Sequence, residues 1–184
     1  MKMTDTRQIA APPADVYAAL LDPQVLQACV PGAQDVTGSP EEGFEATVVQ
    51  KVGPVKATFK GQVTLSEMVE NQSLTISGEG KGGAAGFAKG AADVRVVEKD
   101  GGTELSYDVE AKVGGKLAQL GSRIIDGFAK KMADQFFDNF KAAVEGPAPD
   151  EVADAAPEEV VPDVEVADAE TPKKSWLGRF SGKS

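Results

Sequence analysis

The residue types that most often carry chemistry are scarce in this chain of 184 residues, which contains no histidine and a single cysteine, Cys29. Without histidine, neither a Ser-His-Asp nor a Cys-His arrangement can form, and histidine-ligated metals and histidine pH switches are excluded. One cysteine cannot form an internal disulfide or a thiolate cluster. Cys29 has apolar neighbours and no nearby base, so we interpret it as an inert core thiol.

Residues 78–83, Gly-Glu-Gly-Lys-Gly-Gly, match the GxGxxG pattern of dinucleotide-binding sites. Such a site requires a helix that begins directly after the glycines, because the helix N-terminus binds the pyrophosphate. Here the flanking residues alternate as in strands and no helical pattern follows. Glycines within strands more often mark a bulge or leave room for a ligand, and we therefore reject the dinucleotide interpretation.

General acid–base catalysis would require a pair of ionisable groups inside the fold. The alternation of the strands leaves only Tyr107 and Gln50 as polar inward positions, whereas Asp93, Asp108 and Glu110 fall on the outward face. We therefore predict no catalytic residue and no metal ligand, and an enzyme of cyclase or hydrolase type is the less favoured alternative. The Tyr107 hydroxyl either donates to a carbonyl of a bound ring or is the polar tip of a core side chain.

Charge and hydropathy limit the class of protein further. The net charge of −10 and the isoelectric point of about 4.6 argue against a nucleic-acid partner, which requires a basic face. The polar N-terminal residues do not resemble a signal peptide, and no stretch reaches the roughly 20 apolar residues that span a bilayer. The default expectation is a soluble, cytoplasmic protein.

The composition divides the chain into three parts, of which residues 1–145 carry the periodic sequence of a folded domain. Residues 146–172 contain nine acidic residues, no Lys or Arg and no aromatic residue. Because such a segment cannot bury enough apolar surface to offset its ordering entropy, we predict a disordered acidic linker. Residues 173–184 reverse the charge and form a basic, aromatic tip.

Within the first part, the periodicity predicts one strand over 4–9, two short helices over 12–21 and 22–29, and then a run of strands. The cleanest period-2 pattern extends from 105 to 113, and residues 116–144 form one amphipathic helical pattern of roughly 40 Å. A long helix of this kind must bury its apolar face, and a curved antiparallel sheet is the available partner. The predicted fold class is α+β, with two short helices after the first strand and a sheet wrapped around the C-terminal helix.

This order of elements is that of the helix-grip fold of the START-like (SRPBCC) superfamily, and local motifs narrow the match. In order along residues 1–145, the motifs closely resemble those of CoxG, a family of carbon monoxide dehydrogenase subunits. They are Ile9-Ala10-Ala11-Pro12, Leu21-Asp22-Pro23, Cys29-Val30-Pro31-Gly32, Val52-Gly53-Pro54-Val55, Phe59-Lys60-Gly61, the glycine-rich run 78–90, and the segment 114–123. The resemblance implies a partner that is a molybdenum hydroxylase of the carbon monoxide dehydrogenase type. It also implies recruitment of that enzyme to the membrane and carriage of the respiratory quinone that accepts its electrons.

Two neighbouring strands carry small residues at the positions that face the long helix. We predict an elongated apolar ligand pocket there, without a covalent cofactor, and the alternative is a solid core in which small and large side chains interdigitate. The predicted lining consists of Gly78, Gly80, Ala88, Gly90, Ala92, Tyr107, Val109, Ile124, Phe128, Met132 and Phe136.

The second short helix and the turn after it precede the sheet and would cover the open end of this pocket. We predict a lid made of Leu26, Cys29, Pro31 and Gly32, and the alternative is an ordinary helix end.

The C-terminal tip places apolar and basic side chains on one short segment. Lys173, Lys174, Trp176, Leu177, Arg179 and Phe180 predict weak, reversible binding to an anionic membrane surface. A protein-docking peptide and an idle tail are the alternatives. We therefore expect a non-catalytic, quinone-binding protein that associates with the inner face of the cytoplasmic membrane. The alternative function is a docking or assembly factor for the same enzyme without a ligand.

Overall fold

The structure, a computed structural model, describes residues 1–146. Its strands are β1 (Lys2–Ile9), β2 (Ala33–Ser39), β3 (Gly43–Val52), β4 (Val55–Val69), β5 (Ser73–Lys81), β6 (Phe87–Lys99) and β7 (Gly102–Gly114). The helices are α1 (Pro13–Leu20), α2 (Pro23–Cys29) and α3 (Ser122–Glu145), and short 3₁₀ turns lie at Gly83–Ala85 and Ala118–Leu120. The predicted tip, and the predicted linker except Gly146, lie outside the described residues.

The strands form one antiparallel sheet in the order β1-β7-β6-β5-β4-β3-β2. Each strand from β2 to β7 pairs with its neighbour in the chain, while β1 pairs with β7. Tight turns join the hairpins at the predicted sites, Gly53-Pro54, Glu70-Asn71 and Asp100-Gly101. The predicted α+β class, with a sheet that curves around a long C-terminal helix, is therefore confirmed.

Two elements differ from the sequence prediction. Strand β2 was not predicted, because only Val36 of its seven residues is buried and the strand lies at the sheet edge, where alternation is weak. The long helix was predicted to begin at 116, but residues 118–120 form a 3₁₀ turn. Gly121, with φ of +87°, then interrupts the helical conformation. A left-handed backbone conformation favours glycine and ends a helical segment. Helix α3 therefore begins at Ser122 and spans about 36 Å.

The buried apolar side chains form two clusters rather than one continuous core. The larger cluster joins α1, α2 and the C-terminal half of α3 to the sheet, and it includes Ile9, Leu105 and Phe140, all of which are fully buried. The smaller cluster contains Val52, Leu117 and other side chains near the beginning of α3. The predicted lining residues are divided between these clusters: Ala92, Tyr107, Val109 and Phe136 pack in the larger one and Phe128 in the smaller one.

Candidate functional site

An apolar cavity of about 360 Å³ opens between the sheet and α3. This volume falls within the range of roughly 300–1,000 Å³ that is typical of small-molecule sites. The lining residues are Met1, Met3, Gln50, Val52, Phe59, Ala88, Val109, Ala111, Val113, Leu117, Ile125, Phe128, Ala129 and Met132. None of these side chains is ionisable, so the cavity is suited to binding an apolar molecule.

Small side chains on adjacent strands create the space. Ala88 of β6 lies between Gly80 of β5 and Val113 of β7 in the strand register. A methyl group added at Gly80 would meet no atom within 4 Å, so this part of the inner wall faces open space. Ala111, opposite Gly90 on the next strand, also lines the cavity. A sheet with larger side chains at these positions would fill the groove.

Helix α3 forms the opposite wall with residues that share one of its faces. Ile125, Phe128, Ala129 and Met132 follow the i, i+3, i+4, i+7 spacing of an apolar helical stripe. Met132, together with Met1 and Met3 of the N-terminal segment, gives the cavity three thioether side chains. Methionine is flexible and polarisable, so these walls can adapt to ligands of different shape.

Gln50 is the one polar side chain among the lining residues, and it also holds the turn that follows α2. Its Nε2 donates a hydrogen bond to the carbonyl oxygen of Pro31. The backbone N–H of Val49 donates to the Gly32 carbonyl oxygen at 2.9 Å. Gly32 has φ of +78°, and a side chain there would overlap the Val49 carbonyl oxygen, so only glycine fits this close approach.

The end of α2 is also attached to α3. The Asn139 Nδ2 donates to the carbonyl oxygen of Cys29 at 3.1 Å. Cys29 itself is fully buried, and burial raises the pKa of its thiol. In this closed arrangement the thiol is both shielded and protonated at neutral pH, in keeping with the inert role expected from the sequence.

An aromatic cluster fills the groove beyond the cavity, towards the C-terminal half of α3. The rings of Tyr107 and Phe137 stack with centroids 5.0 Å apart, and Phe136 meets the edge of Phe137 at 5.1 Å. Phe140 continues the cluster, with its ring 5.7 Å from that of Phe136. These four side chains, which we call the aromatic plug, close that end of the groove.

A charged group lies beside the aromatic plug. The Arg7 guanidinium is 5.4 Å from the centroid of the Phe137 ring and contacts Asp134 at 2.6 Å and Asp5 at 2.7 Å. The hydrogen bond to Asp134 raises the pKa of Arg7, and the same bond lowers the pKa of Asp134. Arg7 Nε and the Tyr107 hydroxyl are buried and have no hydrogen-bond partner within residues 1–146.

Four of the predicted pocket residues, Ala88, Val109, Phe128 and Met132, line the cavity. Ile124 does not: 43% of it is exposed, and Ile125 takes the inward position. Successive helical residues are rotated by about 100°, so Ile124 lies beside the face that carries Ile125.

The remaining predicted pocket residues lie around the cavity rather than in its wall. Gly78 and Gly90 border a groove on the outer face of the sheet, because a glycine presents its backbone to both sides. Ala92 packs against the larger core cluster, and Tyr107 and Phe136 belong to the aromatic plug. Gly80 faces the open space next to Ala88.

The sequence prediction missed ten lining residues, and strand alternation would have identified some of them. Ala111 and Val113 continue the period-2 run of Val109, and Met1 and Met3 alternate into β1 once that strand is extended to Lys2. The others are Gln50, which was considered only as a possible catalytic group, and Val52, Phe59, Leu117, Ile125 and Ala129.

The predicted lid residues lie at the α2 end. Leu26 and Pro31 are half-buried, Cys29 is fully buried and Gly32 is exposed. Movement of this segment remains a prediction. The predicted membrane-binding residues 173–180 lie outside the described residues. Among residues 1–146, no group of three or more His, Cys, Asp or Glu side chains is placed to hold a metal ion. The helices of that region are each too short or too polar to cross a membrane.

The sheet, the long C-terminal helix and the apolar cavity between them are those of the helix-grip fold. A conserved protein from Geobacillus kaustophilus is similar with a TM-score of 0.74 and 23% identity, over 79% of this chain and 95% of that chain. A protein from Chromobacterium violaceum has a TM-score of 0.61 and 19% identity, over 79% and 98% of the two chains. Ara h 8.0201 has a TM-score of 0.55 and 14% identity, over 79% and 97%. At these identities the likeness shows the fold alone.

The sequence profile of the CoxG family, which is described as a subunit of carbon monoxide dehydrogenase, matches residues 6–145. The chain therefore belongs to the CoxG family, and the resemblance predicted from its motifs is confirmed. A search of curated proteins gives no match. Family membership associates the chain with carbon monoxide dehydrogenase as an accessory protein.

Proposed function

We propose that this protein is a non-catalytic carrier of a lipophilic ligand, a respiratory quinone, and that it couples a molybdenum hydroxylase of the carbon monoxide dehydrogenase type to the membrane. The observation that carries the proposal is the 360 Å³ cavity, whose surface among the described residues is apolar. Burial of apolar surface is the main source of affinity in such a site.

The lining favours binding over catalysis. A proton transfer needs an ionisable group within hydrogen-bond reach of the reacting atom. Among the described residues, thioether, aliphatic and phenyl groups form the surface of the cavity. The Tyr107 hydroxyl, which the sequence suggested as an inward polar group, lies in the aromatic plug instead.

The lining of the cavity favours a ligand that binds through its apolar surface. The Gln50 amide is turned to the end of α2, where its Nε2 donates to the Pro31 carbonyl oxygen, and the surface that the described residues expose to the cavity is apolar. Gln50 therefore holds the turn after α2 and adds the methylene groups of its side chain to the wall. Because 360 Å³ is near the lower limit of ligand sites, the cavity suits the ring, and a long side chain would extend from it.

Family membership supports the choice of partner, and the sequence of the tip supports the membrane association. Residues 173–184 carry four cations, Trp176 and Phe180 without an acidic residue. Tryptophan at the headgroup boundary and cations near anionic lipids give weak, reversible attachment. In this proposal the protein acts at the inner face of the cytoplasmic membrane.

Mass spectrometry of an organic extract of the purified full chain tests the proposal. We expect a quinone or a related lipophile, and saturable binding when a short-chain quinone is titrated into the emptied protein. Ala88→Leu, which adds three carbon atoms at a lining position, should weaken that binding up to about 60-fold. Gln135→Leu, at an exposed position of α3, is the matched control and should bind as the original chain does. Absence of any lipophile in the extract, together with no binding on titration, would refute the proposal.

A further inference from the structure

The charges of the domain are separated between its two ends. We define the basic end as residues 48–61, 80–89 and 112–126, which form the β3–β4 turn, the β5–β6 loop and the segment from the end of β7 into α3. This end carries eight Lys and Arg residues and one acidic residue, Asp126. The rest of residues 1–146 carries seven Lys and Arg residues and nineteen acidic residues. A domain with a net negative charge therefore presents a positive surface at one end.

Three pairs of lysines lie directly opposite each other on the outer face of this end. The strand register pairs Lys51 with Lys56 and Lys60 with Lys81. It also pairs Lys89 with Lys112. Like charges opposite each other in a sheet destabilise it. Three such pairs at one end weaken the fold by themselves, and an anionic partner would offset the repulsion.

Most of these cations form no ion pair within residues 1–146. Lys81 contacts Glu79 at 3.3 Å. Lys51, Lys56 and the five remaining cations form no ion pair with any residue in 1–146. These five are Lys60, Lys89, Lys112, Lys116 and Arg123. Glu79 lies opposite Lys89 in the strand register, and Asp35, Glu45 and Glu79 line one groove with Lys60 and Lys81. The charge is therefore partly offset along β5, and the pair Lys51 and Lys56 at the β3–β4 turn is the part most available to an external anionic surface.

Apolar side chains project among these cations. Phe87 is 46% exposed and Ile124 is 43% exposed. The Phe87 ring lies against Gly114, and Ile124 lies against the Gly53 turn, so both side chains occupy the connections at the end of the sheet. Exposed apolar residues surrounded by lysines are typical of a surface that enters the headgroup region of a bilayer.

The cavity reaches the same end of the domain. Val52, Phe59, Val113, Leu117 and Ile125 of the basic end all line it. The opposite end of the groove is closed by the aromatic plug. The cavity therefore extends to the end of the domain that carries the lysines.

We infer that the basic end docks directly on an anionic lipid surface and that the cavity exchanges its lipophile with the bilayer there. The inference rests on the proposed function for the exchange, but the docking stands on the charges and the exposed Phe87 and Ile124. Seven of the eight cations are lysines. Lysine is depleted in protein–protein interfaces, where arginine is enriched, so a lipid surface suits this composition better than a protein surface.

The experiment measures partition of the full chain onto vesicles of phosphatidylcholine, with and without a third of phosphatidylglycerol. Lys51→Gln with Lys56→Gln removes two cations from one lysine pair and relieves repulsion, so the fold should be retained. The expected loss of partition onto anionic vesicles is about 30-fold, at about 1 kcal/mol for each cation near the surface. The matched control, Arg95→Gln with Lys131→Gln, removes two exposed cations outside the basic end and should change partition less than twofold.

A second pair of variants tests the apolar contribution. Phe87→Ser should weaken partition about five- to tenfold, because half of a phenyl side chain is available for burial. Val97 lies at the other end of the sheet and is 55% exposed, so Val97→Ser is the matched control and should leave the partition unchanged. Equal partition of Phe87→Ser and the original chain would contradict the inference.

Several results would overturn the inference, and each differs from failure of the proposed function. Partition that depends on Trp176 but not on Lys51 and Lys56 would assign membrane binding to the tip alone. Loss of binding to the partner enzyme, with vesicle partition unchanged, would assign the surface to a protein. Partition that appears only after the acids of 150–170 are replaced by glutamine would assign it to the chain's own acidic segment. Quinone titrated from solution should bind the lysine variant normally, and no binding to either form would refute the proposed function instead.

Discussion

A larger side chain on the sheet side of the cavity tests whether the space is empty in the absence of a ligand. The substitution Ala88→Leu adds three carbon atoms at a lining position whose neighbour, Gly80, faces open space. At about 0.8 kcal/mol for each buried methylene, the new side chain can stabilise the unliganded fold by up to about 2.4 kcal/mol. For a domain of this size, that corresponds to an increase in Tm of about 5–10 °C.

The same three carbon atoms occupy space that a ligand would use. If they displace three carbons of a bound lipophile, the loss is again about 2.4 kcal/mol, or about 60-fold in Kd. Thermal unfolding of the emptied protein and titration with a fluorescent lipophile measure the two effects. Ala91→Leu, on the exposed outer face of the same strand, is the matched control and should change neither Tm nor Kd appreciably.

A decrease in Tm of several degrees for Ala88→Leu, with Ala91→Leu unchanged, would refute this reasoning. Overpacking a filled core costs typically 1–3 kcal/mol, so a loss of stability would indicate that the groove has no free volume at this position. An unchanged Kd would instead indicate that the ligand binds elsewhere.

The contacts around the cavity and at the basic end lead to three further predictions. Cys29 should resist a thiol reagent at pH 8 in the native protein, because the side chain is buried and the pKa of its thiol is raised. Asn139→Ala should accelerate labelling of Cys29, because it removes the hydrogen bond that holds the end of α2. Equal labelling rates in the two proteins would contradict the role of this hydrogen bond. The lowered pKa of Asp134 contributes stability that is present above pH 3.8, the ordinary pKa of an aspartate, and is lost as the pH falls through the lowered value. Urea unfolding of Asp134→Asn should therefore show a weaker loss of stability below that pH, and an identical profile would exclude this contribution. Lys56→Glu should raise the free energy of unfolding by about 0.2–1 kcal/mol, because it places an acid opposite Lys51, and a decrease would argue against the pairing.

Features that depend on neighbouring residues in the chain were predicted well. Asp22 followed by Pro23 predicted a capped helix, and the Asp22 side chain accepts a hydrogen bond from the Gln24 N–H at 2.8 Å. The alternation that ends at Val113 predicted β7, and the turns of the hairpins were located from their Gly, Pro, Asn and Asp residues. These signals are local because caps, turns and strand faces are determined within a few residues.

Which part of the groove each inward side chain occupies could not be predicted in the same way. Alternation places Val109 and Tyr107 on one face of β7, but only the position of α3 along the sheet decides that Val109 lines the cavity and that Tyr107 packs on Phe137. The start of α3 depends in turn on the interruption at Gly121. The double role of Gln50, as lining residue and as anchor of the turn after α2, also escaped prediction, because the Pro31 carbonyl that it contacts is 19 residues away.

The aromatic plug has a consequence for how a guest molecule is arranged. The rings of Phe136, Phe137 and Phe140 close one end of the pocket, so an elongated ligand can enter only from the other end. Whichever end of the ligand enters first lies next to the aromatic plug, and the other end points towards the opening. The ligand then binds and dissociates through the same opening, so a second ligand molecule can bind only after the first has dissociated.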